Sequence, residues 1–496
     1  MDTFAFPTPT GPVRMESDSL GEMAVPAGAL YGIQTLRAVY NFPITGMRIS
    51  HYPEFVKALA AIKKAAAQAN ERMDLLDTTR AKAIMQACDL LMAGKHRGHF
   101  RVDVIQGGAG TSSNMNANEV IANLALEILG RKRGDYAFLH PNNHVNLSQS
   151  TNDVYPSAIR LTLITMGQAL HKAMGKLSAA FDAKATEFAH VIKIGRTQMQ
   201  DAVPMTLGQE FKAWAVMVEE DRQRLLETLD LVREINLGGT AIGTGINAPP
   251  EYAPLVVALL NQVSGQRMVL AENLVEATQD AGAYVQFSGV LKRTAVKLSK
   301  ICNDLRLLSS GPRCGLGEIR LPEMAPGSSI MPGKVNPVIP EVVNQIAFQV
   351  IGSDLTVTMA AEAGQLELNA MEPVLAHSLF NSLMLLRRGC VVLAEKCVKG
   401  IEADEEQCRR YVEQSLGLAT ALCPHVGYDM AATVAKHAAR TGASVRDAAR
   451  ELLGWDDTRL DDVLDPRHML RPSEPTREYV CFTPERGACK APGNKE

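Results

Sequence analysis

Four stretches of this chain concentrate small polar side chains beside segments that are otherwise apolar. They run from Thr111 to Asn116, Ser148 to Asp153, Gly195 to Gln200 and Gly327 to Pro337. Most of their side chains are hydroxyls and amides, with few carboxylates. Such a donor set suits a dicarboxylate ligand, which nearby Asp or Glu would repel. Ser and Thr at helix starts serve equally well as N-caps, and each stretch taken alone is open to that reading. The richest is Gly327-Ser328-Ser329-Ile330-Met331-Pro332-Gly333-Lys334-Val335-Asn336-Pro337. Its two prolines punctuate it, so it reads as a loop leading into a helix that begins near Ile339. A loop of this composition can turn backbone N–H groups and one ammonium toward an anion, beside a serine hydroxyl. An ordinary Gly/Ser/Pro connection has the same composition.

The elements that must position these stretches are helices. Leu163, Met166, Leu170, Met174, Leu177 and Phe181 recur at three- and four-residue steps. Similar stripes run from Leu207 to Val232 and from Phe287 to Leu308. Helices are also predicted over 55–70, 79–94, 116–130, 340–361, 375–398 and 443–453. A rod of roughly 30 residues spans about 45 Å. Several such rods with apolar stripes satisfy them only by packing into a bundle. The Met and Leu stripes are therefore core. Gly107, Gly108 and Gly110 precede the helix at 116, where they allow backbone turns that other residues resist. Residues 1–30 are Pro/Gly-rich and are expected to wrap over a neighbouring surface or fray. His425 to Asp429 reads as a turn between helices, and residues from Arg471 onward as a loose tail. No internal repeat is apparent.

Composition narrows the classes. With 496 residues the chain can bury a large core and divide into two or three domains. A net charge of -3 supplies no basic field for nucleic acid or an anionic membrane. No apolar run reaches bilayer length, and the N-terminus lacks the basic start and apolar centre of a signal peptide. The nine cysteines have no metal-site or disulfide spacing, which favours a reducing cytoplasm. Cys88, Cys302, Cys390 and Cys397 fall in apolar helical patterns, whereas Cys481 and Cys489 sit in the tail.

The loop at 327–337 fits G-S-S-x-M-P-x-K-x-N-P at every fixed position and resembles the signature of the fumarase/aspartase superfamily. The likeness runs from about Glu22 to Arg471, and it is strongest to the ammonia-lyase branch. Glu367 to Pro373 and Gln106 to Gly110 look like that branch too. The resemblance implies a mainly α, three-domain fumarase/aspartase-like fold with a central long-helix bundle. Residues 1–148 would form an N-terminal mixed, mostly helical domain, 149–400 the bundle, and 401–496 a small C-terminal helical domain. It also implies a cytoplasmic homotetramer with active sites shared between subunits. No redox or organic cofactor is implied. Some members are activated by magnesium, although no acidic cluster here reads as its site.

The implied reaction is reversible deamination of L-aspartate to fumarate and ammonia through an aci-carboxylate intermediate. By resemblance, Ser328 is the general base. Thr111, Ser150, Thr151 and Ser329 bind substrate, with Ser150 and Thr151 on the carboxylate beside the acidic carbon. Asn152 faces the amino group, while Thr197, Lys334 and Asn336 hold the other carboxylate. A serine is a feeble base unless loop N–H groups stabilise its alkoxide and loop closure strips its water. Where many relatives read R-T-H-x-Q, this chain has Gln198, which neither accepts nor delivers a proton at neutral pH. The imidazole that pairs with a carboxylate matching Glu341 is thereby lost. A fumarate hydratase must activate water, so Gln198 argues against that alternative. Argininosuccinate- or adenylosuccinate-cleaving relatives fit the third stretch and Met371-Glu372-Pro373 poorly. A catalytically silent structural oligomer would not require Thr111, Ser328, Lys334 or Asn336. His140 and His144 lie in a region resembling the hydratases' secondary anion site, but a polar turn explains them as well. Arg306 and Arg313 read as structural contacts, and the basic residues from Lys82 to Arg97 as a solvated face.

Overall fold

Apolar residues at helical spacing dictate most of what the computed structural model contains, and it describes residues 11–472. Eight helices of fifteen residues or more occur among them. In chain order they are α1 (Pro53–Arg72), α2 (Thr78–Met92), α3 (Thr111–Ile128), α4 (Thr151–Glu187), α5 (Leu207–Leu231), α6 (Gly282–Leu308), α7 (Val338–Glu362) and α8 (Glu372–Lys396). The fold is mainly helical, a bundle of long helices, as expected. At 37 residues α4 exceeds the rod length that the stripes suggested.

The described chain divides into two compact units. One takes in residues up to Gly175, with Val218–Ser299 and Val342–Val391. Here five long helices meet. Gly167 on α4 lies against Leu229 on α5, so closely that a Cβ there would come 2.5 Å from a Leu229 methyl. Lys297 on α6 pairs with the buried Asp221 on α5 at 3.0 Å. Ser288 and Lys292 on α6 both reach Asp354 on α7, at 2.8 and 2.6 Å. Gly389 on α8 sits against Ile346 of α7.

The other unit takes in Lys176–Met217, Lys300–Glu341 and the described residues from Val392 onward. Phe181, Phe211 and Trp214 stack edge-on or tilted in one part of it. A second core gathers Ile194 with Val412, Leu422, Val434, Ala448 and Leu460 from the C-terminal helices. His425 lies in the short helix Cys423–Val426, Tyr428 starts the next, and Gly427 at φ 78° is the turn between them.

Three expectations need correction. Residues 13–26 are not a frayed wrap but an antiparallel hairpin of β1 (Val13–Asp18) and β2 (Gly21–Pro26); the first ten residues lie outside the description. The helix expected from Asn116 already begins at Thr111, because Gly108, Ala109 and Gly110 at φ 87°, 53° and 88° finish the turn. Gly110 is required there for a second reason: a Cβ would lie 2.4 Å from the Tyr155 ring. The stretch at 195–200 is not a helix end but the tip of a hairpin of β3 (Ile192–Thr197) and β4 (Gln200–Thr206). Cys88, Cys302, Cys390 and Cys397 are buried as read, while Cys481, Cys489 and the tail beyond 472 are outside the described residues.

Candidate active site

Two groups of the expected residues are each built by local chemistry. The first surrounds the N-terminus of α4. Ser150 Oγ accepts the Asn152 N–H at 3.3 Å, and Asp153 Oδ1 accepts the Ser150 N–H at 3.0 Å. The other Asp153 oxygen receives N–H groups of Gly238 and Thr240 at 3.0 and 3.1 Å. Asp153 is thus a buried staple that ties the helix start to the 238–240 turn, where Thr240 is held at φ 56°. Pro156 lies inside α4 and has no N–H for the carbonyl one turn back. That carbonyl, Asn152 O, accepts the Asn236 side-chain amide at 2.9 Å instead. The Asn152 amide in turn donates to Ala241 O at 2.7 Å. Asn152 is therefore oriented from both ends.

Thr151 Oγ1 accepts from Asn114 of α3 at 3.1 Å. Thr111 stands one turn before Asn114 on the same helix and is exposed. Beneath them Asn146 Oδ1 accepts from Lys63 at 2.8 Å, from Asn118 at 3.1 Å and from Asn114 at 3.2 Å. Lys63 is fully buried, and burial pushes its ammonium down to about 7 against the raising field of Asp153. Burial likewise lifts Asp153 to about 6, opposed by its backbone donors and by Lys63. The oxygens Asn114 Oδ1 and Asn118 Oδ1 are buried without a hydrogen-bond partner. So Thr151, flanked by Ser150 and Asn152 and one helical turn from the exposed Thr111, rests on a buried amide network whose members, Lys63, Asn114, Asn118 and Asn146, the sequence reading missed. One signal was present. Lys63 and Asn70 interrupt the buried alanine-rich face of α1, where a charge or amide demands a partner.

The second group is exposed. Thr197 and Gln198 occupy the β3–β4 turn, with Thr197 paired to Gln200. Gln198 and Met199 have φ 55° and 63°, the left-handed pair of a type I′ turn normally filled by Asn and Gly. Holding two long side chains there costs on the order of 1–3 kcal/mol each. Behind the tip, Lys193 and Arg196 bracket the fully buried Glu318 at 2.8 and 2.7 Å, and Lys193 also meets Glu210 at 2.6 Å. The hairpin tip is strained and its base is clamped.

The 327–337 loop closes on itself. Asn336 Nδ2 donates to Gly327 O at 2.5 Å, and a Cβ on Gly327 would fall 2.0 Å from Lys334 O. Ser328 Oγ accepts backbone N–H groups of Ile330 at 3.2 Å and Met331 at 2.9 Å. Ser329 and Lys334 are exposed, Asn336, Pro337 and Glu341 half-buried, and α7 starts at Val338. Thr197, Gln198, Ser328, Ser329, Lys334, Asn336 and Glu341 all belong to the second unit, and the threonine–asparagine cluster to the first.

The remaining polar features are local. His140 Nδ1 accepts N–H groups of Asn142 and Asn143, and His140 N donates to His144 Nδ1 at 2.8 Å, so this is a polar turn. Among the described residues no group of three or more His, Cys, Asp or Glu is arranged to hold a metal ion. None of the described helices is long and apolar enough to cross a membrane.

Hydroxyl and amide donors, a serine in a nest of N–H groups and a mostly helical scaffold define a lyase of the fumarase/aspartase type. The chain belongs to this superfamily: the family model described as Lyase matches residues 21–352, and that described as Fumarase C C-terminus matches 418–471. A curated relative, the aspartate ammonia-lyase of Pseudomonas fluorescens, is 59% identical over 92% of this chain and 96% of its own length. The crystal structure titled fumarate lyase:delta crystallin from Brucella melitensis, bound to cobalt, is 58% identical with a TM-score of 0.91. It covers 93% of this chain and 100% of its own. A class II fumarase from Schistosoma mansoni has a TM-score of 0.89 but only 36% identity, over 92% of this chain and 99% of its own.

Proposed function

We propose that this chain is a carbon–nitrogen lyase that reversibly deaminates L-aspartate to fumarate and ammonia. The observation that carries the reading is the setting of Ser328, whose hydroxyl oxygen receives two backbone N–H groups of its own loop. Those donors favour an alkoxide over an alcohol, which is what a serine needs to act as a base. Ser328 removes the proton beside one carboxylate, and the resulting aci-carboxylate carries two negative charges. Thr111, Ser150, Thr151 and Ser329 donate where that charge grows. Asn152 faces the amino group, and Thr197, Lys334 and Asn336 hold the remote carboxylate. Gln198 adds an amide where a proton-carrying imidazole would serve a hydratase. Glu341 supports the loop's junction with α7. Ammonia then leaves the neighbouring carbon, forming the trans double bond.

The active particle in this reading is a cytoplasmic homotetramer of three-domain subunits, divided at 148 and 400, with sites shared between subunits. It requires no organic or redox cofactor, and magnesium acts at most as an activator. The amide-rich cluster and the loop fit a small dicarboxylate and no nucleic acid. The decisive assay follows the ultraviolet absorbance of fumarate on supplying L-aspartate and, separately, malate. Signal from aspartate is expected. Robust signal from malate with none from aspartate replaces the reading with a hydratase.

A further inference from the structure

The arginine-lined cleft at the start of α1 has no part in the chemistry above. Arg97, Arg387 and Arg388 line a cavity of about 320 Å³ together with His51 and Glu54. A wider depression of about 470 Å³ shares His51 and Arg97 with it and adds Arg48. Four chain segments converge there: the 46–54 turn, the 97–98 turn, Met166 and Ala169 of α4, and the middle of α8. All belong to the first unit.

Charge is out of balance in this cleft. Four guanidinium groups face one carboxylate, Glu54, and none of the four forms an ion pair with a described carboxylate. The contrast with the larger cavity of about 740 Å³ in the second unit is informative. There Arg409 is paired to Glu413, and Arg446 to Asp457 and Asp461, so both guanidinium groups are matched by carboxylates. The cleft also lies over the N-terminus of α1, a 20-residue helix whose Tyr52 cap makes no side-chain hydrogen bond to it. That end of a helix carries partial positive charge, although Pro53 has no N–H and those of Phe55 and Val56 are given to Tyr52 O. Below it, the Tyr52 hydroxyl is occupied with His377 Nδ1 at 2.8 Å, so the floor is fixed.

Guanidinium forks left without ion-pair partners, lining a pocket of ligand size, match the paired oxygens of carboxylates and phosphates. We infer that the cleft formed by Arg97, Arg387 and Arg388, with Arg48 at its rim, binds a small multivalent anion bearing carboxylate or phosphate groups. The basic run ending at Arg97, which in sequence reads as a solvated face, thereby supplies one wall of a binding site. No residue proposed to hold aspartate is among those lining it.

Isothermal titration of the assembled full-length protein with citrate, and separately with inorganic phosphate, tests this at ionic strength held constant with chloride. Saturable binding of at least one anion is expected. The Arg97→Gln/Arg388→Gln double variant should weaken it at least about tenfold, the scale of losing charge-assisted hydrogen bonds. Lyase turnover without added anion should be unchanged in that variant. Binding of citrate alone identifies a polycarboxylate ligand, and of phosphate alone a phosphorylated one. The same titration on Lys334→Ala separates this cleft from the proposed aspartate site. Binding that survives the arginine changes but vanishes with Lys334→Ala overturns the inference, as does no saturable binding in the unmodified protein.

Discussion

The two halves of the proposed machinery are built in opposite ways. Around the start of α4 the key polar groups are held by others: Asp153 by three N–H groups, Asn152 from both ends, Thr151 by Asn114. The 327–337 loop, exposed at its centre and half-buried at its ends, and the exposed 197–200 turn make few bonds beyond themselves. One half is preorganised by burial, which suits groups that must await a growing charge without rearranging. The other half keeps its base accessible. Stability and chemistry should therefore come apart under mutation, according to which half is touched.

The sharpest test removes the staple. Asp153→Ala leaves the N–H groups of Ser150, Gly238 and Thr240 buried and unpaired, and should cost roughly 3–5 kcal/mol in denaturant unfolding, with turnover lost. Stability near that of the unaltered protein would show that burial does not organise this half. Ser328→Ala should do the converse. Turnover falls at least roughly a hundredfold while the unfolding midpoint and the oligomer, followed by light scattering, stay put. Normal turnover would remove Ser328 from its role. Gly110→Ala, strained by φ and by the Tyr155 ring, should cost about 2 kcal/mol and lower activity through the displaced Thr111.

A pH scan sharpens the comparison further. Burial raises Glu372 from 4.5 to about 8, against the lowering charge of Arg160. Between those values the folded carboxyl keeps a proton that the unfolded chain has released. The unfolded state then binds fewer protons, so stability falls as pH rises through that window. Glu372→Gln should flatten this slope in thermal melts taken from pH about 5 to 8. An unchanged slope would place the titration elsewhere. Smallest of all, Gln198→His on the exposed turn should alter stability by no more than about 0.5 kcal/mol. It should not by itself create malate-dependent fumarate formation, which supplying malate to that variant checks.

Sequence pattern reached the exposed half more easily than the buried one. The loop's Gly, Pro, Ser, Lys and Asn are legible because turn chemistry is local, and the long helices because apolar stripes repeat. The network under Thr151 was hidden because Lys63, Asn114, Asn118 and Asn146 come from three segments that only tertiary folding unites. Short strands escaped for a related reason. The β3–β4 pair is six and seven residues long, and its turn uses Gln and Met rather than Asn and Gly. Pro156 in a helix is likewise unreadable until Asn236 is seen taking the orphaned carbonyl.

The serine of the 327–337 loop and the amides that steady it lie within four consecutive residues. Wherever this segment is placed, its hydroxyl comes with its electrostatic lining already attached. The pair of donors on that oxygen is a portable property of eleven residues rather than of any cavity they enter.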